Sequence, residues 1–376
     1  MLREVRRVTA AGPVAEVVIA VHDARRPVGR AIGSIVGEPG AGREHGVSAR
    51  ARVTVVCHNI EASAFAATVE RFADADVRWL ELHDGIRSPA GPFNHGLARA
   101  EAPYVSVMGS DDWFDPGAVD AAVRHLERDA PEVLVLPLRH QDGPPMANPL
   151  SRRGRHRRLD PVKDRLAYRT APLAFIDRRL VDRLELEFVP KLRSGEDAPF
   201  SARLWNFAER IDFHPTDPGY VIGADAAVRV TTAPMGVEDE LAPYIGLFAE
   251  PWVAAMPPSR RHALVVKTLR IHLVGGLVRR AEADSLGPGE HEAYRSLAQA
   301  GLSIAPRALD PMSRRDRAIL DLLVAERPAE LGALREAGRR RNRAGRADRL
   351  LTRDLRHALD RESDLRRVLR YVGWPH

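Results

Sequence analysis

The residues best suited to chemistry in this 376-residue chain are acids set in pairs. Asp111 and Asp112 follow the apolar run Tyr104-Val105-Ser106-Val107-Met108 and precede Trp113-Phe114-Asp115-Pro116. That pattern predicts a buried strand whose C-terminal end releases two adjacent carboxylates into a turn. In an open α/β sheet, ligands bind outside the carboxyl ends of the strands. Two acids together at that edge are costly to place without a positive partner, and a divalent ion holding a diphosphate is the group that suits them. A helix cap before Pro116 is the structural alternative. A second pair, Glu196-Asp197, opens a helical pattern, where negative charge is favoured for structural reasons alone. His22-Asp23 and His58-Asn59 close apolar runs, which puts them at strand ends too.

Such side chains need a scaffold, and the hydrophobic pattern supplies one. Val17–Val21, 53–56, Val77–Leu82, 102–108 and 133–136 read as strands, and between them 27–35, 61–72, 93–100 and 116–128 carry helical spacing. Strands alternating with helices of about ten residues imply a mostly parallel sheet covered on both faces. Neither GxGxxG nor GxxxxGK[ST] follows the first strand, which argues against a dinucleotide dehydrogenase and a P-loop enzyme. Residues 1–13 read as a basic leader and 37–46 as a Gly-rich loop. From His140 to Arg158 the chain is loop-like and very basic, through Arg152, Arg153, Arg155, Arg157 and Arg158. Order resumes at 174–176, with helices over 178–184 and 198–209 and short strands at 211–213 and 220–222. Beyond about residue 235 only helical spacing remains, at 262–283, 316–324 and 350–368 among others. A boundary near 233–240 divides the chain into an α/β domain, 14–235, and an all-helical domain, 236–376.

Composition bounds the partners. Hydrophobic residues at 44% and charged residues at 29% describe a globular protein, and the length suggests about two domains. A formal charge of +6 points to phosphates, nucleic acid or a membrane surface. Only Lys163, Lys191 and Lys267 are lysines, so the charge is arginine, as a GC-rich genome also produces. Nucleic acid is disfavoured because no aromatics interleave with the basic residues. Cys57 is the single cysteine, which excludes an intrachain disulfide. With no signal-peptide pattern and no long apolar run, the chain reads as cytoplasmic. The segment Ile271–Arg280 leaves open a peripheral contact with the inner face of the membrane, and the helical domain leaves open a homo-oligomer.

Taken in order, these pieces resemble a family 2 glycosyltransferase with the GT-A fold over residues 14–232. The resemblance is carried by Val21-His22-Asp23, the strand ending at Asn59, Asn94-x-Gly96 with Ala100, Tyr104, Ser110-Asp111-Asp112-Trp113, and Gly195-Glu196-Asp197-x-x-Phe200 with Arg203-Leu204. It implies a nucleotide-diphosphate sugar donor lying against Val21, His22, Asp23, His58, Asn59, Asn94, Ser110 and Asp111. It also implies Mg or Mn at Asp111 with Asp112 beside it. In inverting members a carboxylate deprotonates the acceptor hydroxyl, and the matching residue is Asp197, with Glu196 adjacent. The acceptor is then a cell-surface glycan, a polyol-phosphate polymer or a lipid-linked precursor, and Arg152–Arg158 are candidates to clamp its phosphate. Two positions depart from the family pattern. Gly109 stands where the first Asp of Asp-x-Asp is usual, and Cys57-His58 stand where an acidic pair holds the base. They support an alternative, a silent GT-A domain that binds a glycan or scaffolds a partner.

Overall fold

The computed structural model describes residues 12–39, 50–224, 235–287, 289–326 and 330–374. The basic leader, most of the Gly-rich loop and the start of the expected domain boundary lie outside them.

The α/β part begins β1 (Ala15–Val21), α1 (Val28–Val36), β2 (Ala51–His58), α2 (Ala66–Arg71), β3 (Val77–Leu82), α3 (Ala90–Leu97) and β4 (Tyr104–Gly109). It continues β5 (Trp113–Phe114), α4 (Ala118–Asp129), β6 (Val133–Val135), β7 (Leu138–His140), β8 (Pro145–Met146), β9 (Ala174–Asp177), α5 (Arg178–Arg183), α6 (Asp197–Phe207), β10 (Ile211–Phe213) and β11 (Tyr220–Ile222). A seven-stranded sheet runs β10-β6-β9-β4-β1-β2-β3. Its strands are parallel except β9, which pairs antiparallel with both β4 and β6. A four-stranded sheet, β5-β11-β7-β8, sits beside it; of its strands the sequence pattern located β11 alone, because β5, β7 and β8 are only two or three residues long and leave little periodic signal.

The apolar runs are continuous because both sheet faces are covered. Val17, Ile19 and Val21 of β1 pack with α1 and α4 on one face. Val18, Val56, Val105 and Val107 meet α3 and α6 on the other. Gly96 makes the second packing feasible, since a Cβ there would sit 2.3 Å from Val18 Cγ1.

Helices follow from Val237: α7 (Val237–Ala249), α8 (Pro251–Ala255), α9 (Pro258–Thr268), α10 (Gly275–Glu282), α11 (Glu290–Ile304), α12 (Arg314–Val324), α13 (Leu331–Arg343), α14 (Arg346–Leu350) and α15 (Asp364–Val372). They enclose a separate apolar core that also takes in Ala198 and Ala202 of α6. Two expectations are corrected here. The helical spacing over 350–368 breaks into α14, a single 3-10 turn at Leu355–His357 and α15, because Asp354 and Ser363 cap new starts by accepting from Arg356 N and Arg366 N. The segment Ile271–Arg280 is no membrane-facing helix: Leu273, Val274, Leu277 and Val278 are spent on the helical core. The chain end returns to the α/β part, where Trp374 is buried in its core and Arg165 pairs with Glu362 at 3.2 Å. No helix among the described residues is long and apolar enough to cross a membrane.

Candidate active site

Parallel register gathers the ends of four strands on one edge. Val21 lies beside Cys57, Ala20 beside Gly109 and His58 beside Leu82, so the turns after β1, β2, β3 and β4 open together. His58 Nε2 is 2.8 Å from Asp84 Oδ1. Asn59, in the left-handed region at φ 56°, accepts from the Gly85 N–H at 2.9 Å. Burial works against the Asp84 carboxylate, but the Ile86 N–H and His58 outweigh it and lower its pKa. Arg25 holds Asp23 with two N–H groups, at 3.0 and 2.6 Å, and keeps its carboxyl ionised far into acid. Burial, then the Arg26 charge, lowers the pKa of His22, so this imidazole is neutral at pH 7.

The acidic turn after β4 is organised differently from a two-ligand ion site. Asp112 Oδ2 accepts from Tyr220 Oη at 2.6 Å and its Oδ1 accepts from the Gly223 N–H at 2.8 Å. Its carboxylate therefore ties β11 to the end of β4. Asp111 Oδ2 lies 2.7 Å from Arg26 Nη1, and its backbone carbonyl accepts from Arg30 Nη2 at 2.6 Å. Arg30 in turn stacks over the Trp113 ring at 4.0 Å. A Cβ at Gly109 would lie 2.8 Å from Asp112 Oδ2 and 3.1 Å from Asp111 Oδ1. The two carboxylates thus fill the space an acid at 109 would need.

Divalent ions are common in GT-A enzymes, and Mg or Mn binds through one or two carboxylates together with substrate phosphates. The residues present do not fit that group. Asp112 has committed both oxygens, Asp111 is already neutralised by a guanidinium, and position 109 offers no oxygen ligand from its side chain. The clusters among the described residues that could gather three ligand atoms, His125/His214/Asp217 and Glu61/Glu81/His83, contain none of these acids.

One acid of the second pair, Asp197, faces a cavity. Asp197 begins α6 with Glu196 as its cap residue, and Asp197 lines a space of about 400 Å³ with Thr170, Ser194 and Gly195. The opposite wall is helical: Glu240, Tyr244, His272, Arg279 and Arg280. Burial, reinforced by Glu196 and opposed by Lys267, pushes the Asp197 carboxyl up to about 7. Burial also raises Glu196 and brings Lys267 down to about 8. Lys267 Nζ is 2.8 Å from His272 Nε2, and the His272 ring stacks on Tyr244 at 4.0 Å. Residues Leu269–Val274 turn as a π-helix. His272 lies within it and Lys267 at the end of α9 just before it, and such segments recur at functional sites.

Helix α3 joins the two regions. A Cβ at Gly91 would meet Asp84 Oδ2 at 2.7 Å. One turn on, the Asn94 amide accepts from Phe188 N at 2.9 Å and donates to Phe188 O at 2.8 Å. Asn94 therefore fixes the segment leading to Asp197, and its amide is engaged there rather than at the strand ends. Val21 and Ser110 are buried.

The basic loop is elsewhere. Arg158 N donates to Asp212 Oδ1 at 2.9 Å and Phe213 N to His156 O at 2.8 Å, so the loop runs along β10, three places from β4 in the sheet. Arg152 is bound to buried Asp164 at 2.6 Å and Arg157 to Asp129 at 2.7 Å. Arg153 and Arg155 are exposed. The expected acceptor clamp is not at the Asp197 cavity, where Arg279 and Arg280 stand instead. Sequence reading missed those two, and also Arg26, Arg30, Lys267 and His272. Two signals were present: arginines four apart at a helix start, and a lysine inside the apolar stretch Ala263-Leu264-Val265-Val266-Lys267.

Residues 63–184 match the family model described as glycosyl transferase family 2. The resemblance to that family holds. The first 349 residues of S. aureus TarS, solved in complex with UDP-GlcNAc, superpose with a TM-score of 0.71 at 15% identity, covering 88% of this chain and 91% of that one. The same piece in complex with UDP gives 0.66 over the same shares. A longer TarS structure gives 0.66, with 86% of this chain matched to 54% of the other. At this identity the likeness establishes a GT-A fold carrying a helical C-terminal region. No curated protein matches by sequence.

Proposed function

We propose that this glycosyltransferase-like chain transfers a sugar, with inversion, from a nucleotide-diphosphate donor to a hydroxyl of a surface glycan, polyol-phosphate polymer or glycolipid. The observation that carries the reading is Asp197, a carboxylate whose pKa is raised to about 7 at the wall of a cavity of about 400 Å³. A general base works best when its pKa lies near the working pH and it is held on a rigid element. In the proposed step the acceptor oxygen forms its bond to the anomeric carbon and its proton passes to Asp197. The bond to the diphosphate breaks, and its electron pair leaves with the phosphate oxygen. The donor lies along His22, Asp23, His58, Asn59, Ser110 and Asp111 at the strand ends, and the acceptor enters from the side bounded by Arg279 and Arg280. TarS was solved with UDP-GlcNAc, so that is the first donor to test.

The test is release of UDP from UDP-GlcNAc and other nucleotide sugars, with and without added polyol-phosphate or glycan. Turnover that disappears in Asp197→Asn is expected. A wild-type protein that binds nucleotide sugars and never turns them over would favour the silent-domain alternative, which Gly109 and Cys57-His58 motivate.

A further inference from the structure

We propose that Arg26 is the cation that meets the donor's diphosphate in this chain, taking the place that a divalent ion takes in other proteins of the fold. The inference rests on the transferase reading above and concerns how the same site holds its charge.

Three observations converge on it. The Arg26 guanidinium lies 2.7 Å from the Asp111 carboxylate, and the two side chains are only 11% and 17% exposed, so their pairing is an enclosed contact rather than a surface one. Arg30, in the first turn of α1, donates to the Asp111 carbonyl at 2.6 Å and is braced on Trp113 at 4.0 Å. Arg26 lies in the turn between β1 and α1, so the β1–α1 connection and the start of α1 present two guanidinium groups to the single turn that ends β4. Finally, Gly109 contributes no acid, and the Asp112 carboxylate is spent on Tyr220 and Gly223.

The charge balance of the turn is therefore the reverse of an ion-binding one: an acid is absent where the pattern expects one, and an arginine is added. A carboxylate already in a charge-assisted pair has little left with which to draw a hydrated dication. A guanidinium is well suited to the alternative task, because its planar fork of five N–H donors matches phosphate oxygens and keeps its charge at any working pH. Asp111 then acts as the residue that orients Arg26, not as a metal ligand. As the anomeric bond breaks, Arg26 stabilises the negative charge that collects on the departing diphosphate.

Calorimetric binding of UDP, GDP, dTDP, ADP and CDP to the full chain, in EDTA and in manganese, separates the cases without relying on turnover. At least one nucleotide is expected to bind with a Kd that changes less than about threefold between EDTA and manganese. Arg26→Met is expected to weaken that nucleotide at least tenfold in EDTA, about 1.4 kcal/mol, and Arg26→Lys less. Circular dichroism establishes that each variant is folded; if Arg26→Met is not, Arg26→Lys against wild type carries the comparison. Binding that vanishes in EDTA, returns with manganese and is indifferent to both substitutions would overturn the role of Arg26 while leaving the transferase reading intact. Failure of wild type to bind any of the five in either condition would sink the transferase reading itself, and the role of Arg26 with it.

Discussion

Tyr220 donates its phenolic hydrogen to Asp112 at 2.6 Å, across 108 residues of chain. The same oxygen accepts from the Gly109 N–H at 3.2 Å, so one buried hydroxyl holds both ends of the acidic turn. Burial and the neighbouring carboxylate keep that phenol protonated. Tyr220→Phe leaves a carboxylate oxygen without its donor, which costs roughly 1–3 kcal/mol when the group is enclosed. Chemical denaturation should show a loss of that size. An unchanged midpoint would mean that the turn does not depend on this bond.

Asp197→Asn should lower transfer by about 10²–10⁴-fold, the usual contribution of a positioned base, while leaving nucleotide affinity unchanged. In the wild type, kcat/KM should rise with pH through about 7, because the base acts only when ionised. The same substitution has a signature in stability. An aspartate raised from its ordinary value to about 7 binds its proton more tightly when folded, so stability is full below the unfolded pKa and is lost as pH rises through about 7. Asp197→Asn should therefore melt higher than wild type at pH 8 and no differently at pH 3.5. Equal melting at both pH values would contradict the buried placement.

Lys267 is the positive charge that opposes the rise in Asp197. Lys267→Met removes it, while Glu196, the residue before α6, still raises Asp197, and Glu240 and Arg279 face the cavity from α7 and α10. The acid limb of the pH–rate profile should move to higher pH, and a purely structural lysine would leave that limb in place while lowering thermal stability.

Asn94→Ala takes away both hydrogen bonds to Phe188. The expected cost is about 1–3 kcal/mol, read as a drop in melting temperature. It should be accompanied by a larger loss in kcat than in nucleotide affinity, because the segment it holds leads to Asp197 rather than to the strand ends. An equal loss of nucleotide affinity would place Asn94 at the donor instead.

Gly96→Ala would push a methyl group against Val18 Cγ1 at 2.3 Å. Overpacking of this kind costs roughly 1–3 kcal/mol, and differential scanning calorimetry should report a destabilised α/β part even though alanine favours helix.

Much of this protein is written locally. Val17–Val21 is a continuous apolar run, and Val105–Met108 one broken only by Ser106, because both faces of the sheet are covered, and that alone locates β1, β4 and the edge on which Asp111 emerges. The start of α6 at Asp197 is equally local, following the left-handed Gly195 with acids at the helix N-terminus where negative charge is favoured. What the sequence by itself could not decide is which charges meet. Arg26 and Asp111 are 85 positions apart, Tyr220 and Asp112 are 108 apart, and Asp197 feels the Lys267 charge only because the helical part packs on α6. Periodicity reports which face of an element is buried, and it carries no information about which distant side chain lies opposite. The tertiary structure therefore decided that Asp112 is a clamp and that the arginines at the Asp197 cavity are Arg279 and Arg280. It also paired the acid expected to hold a metal with an arginine, since parallel register brings the turns after β1 and β4 to one edge.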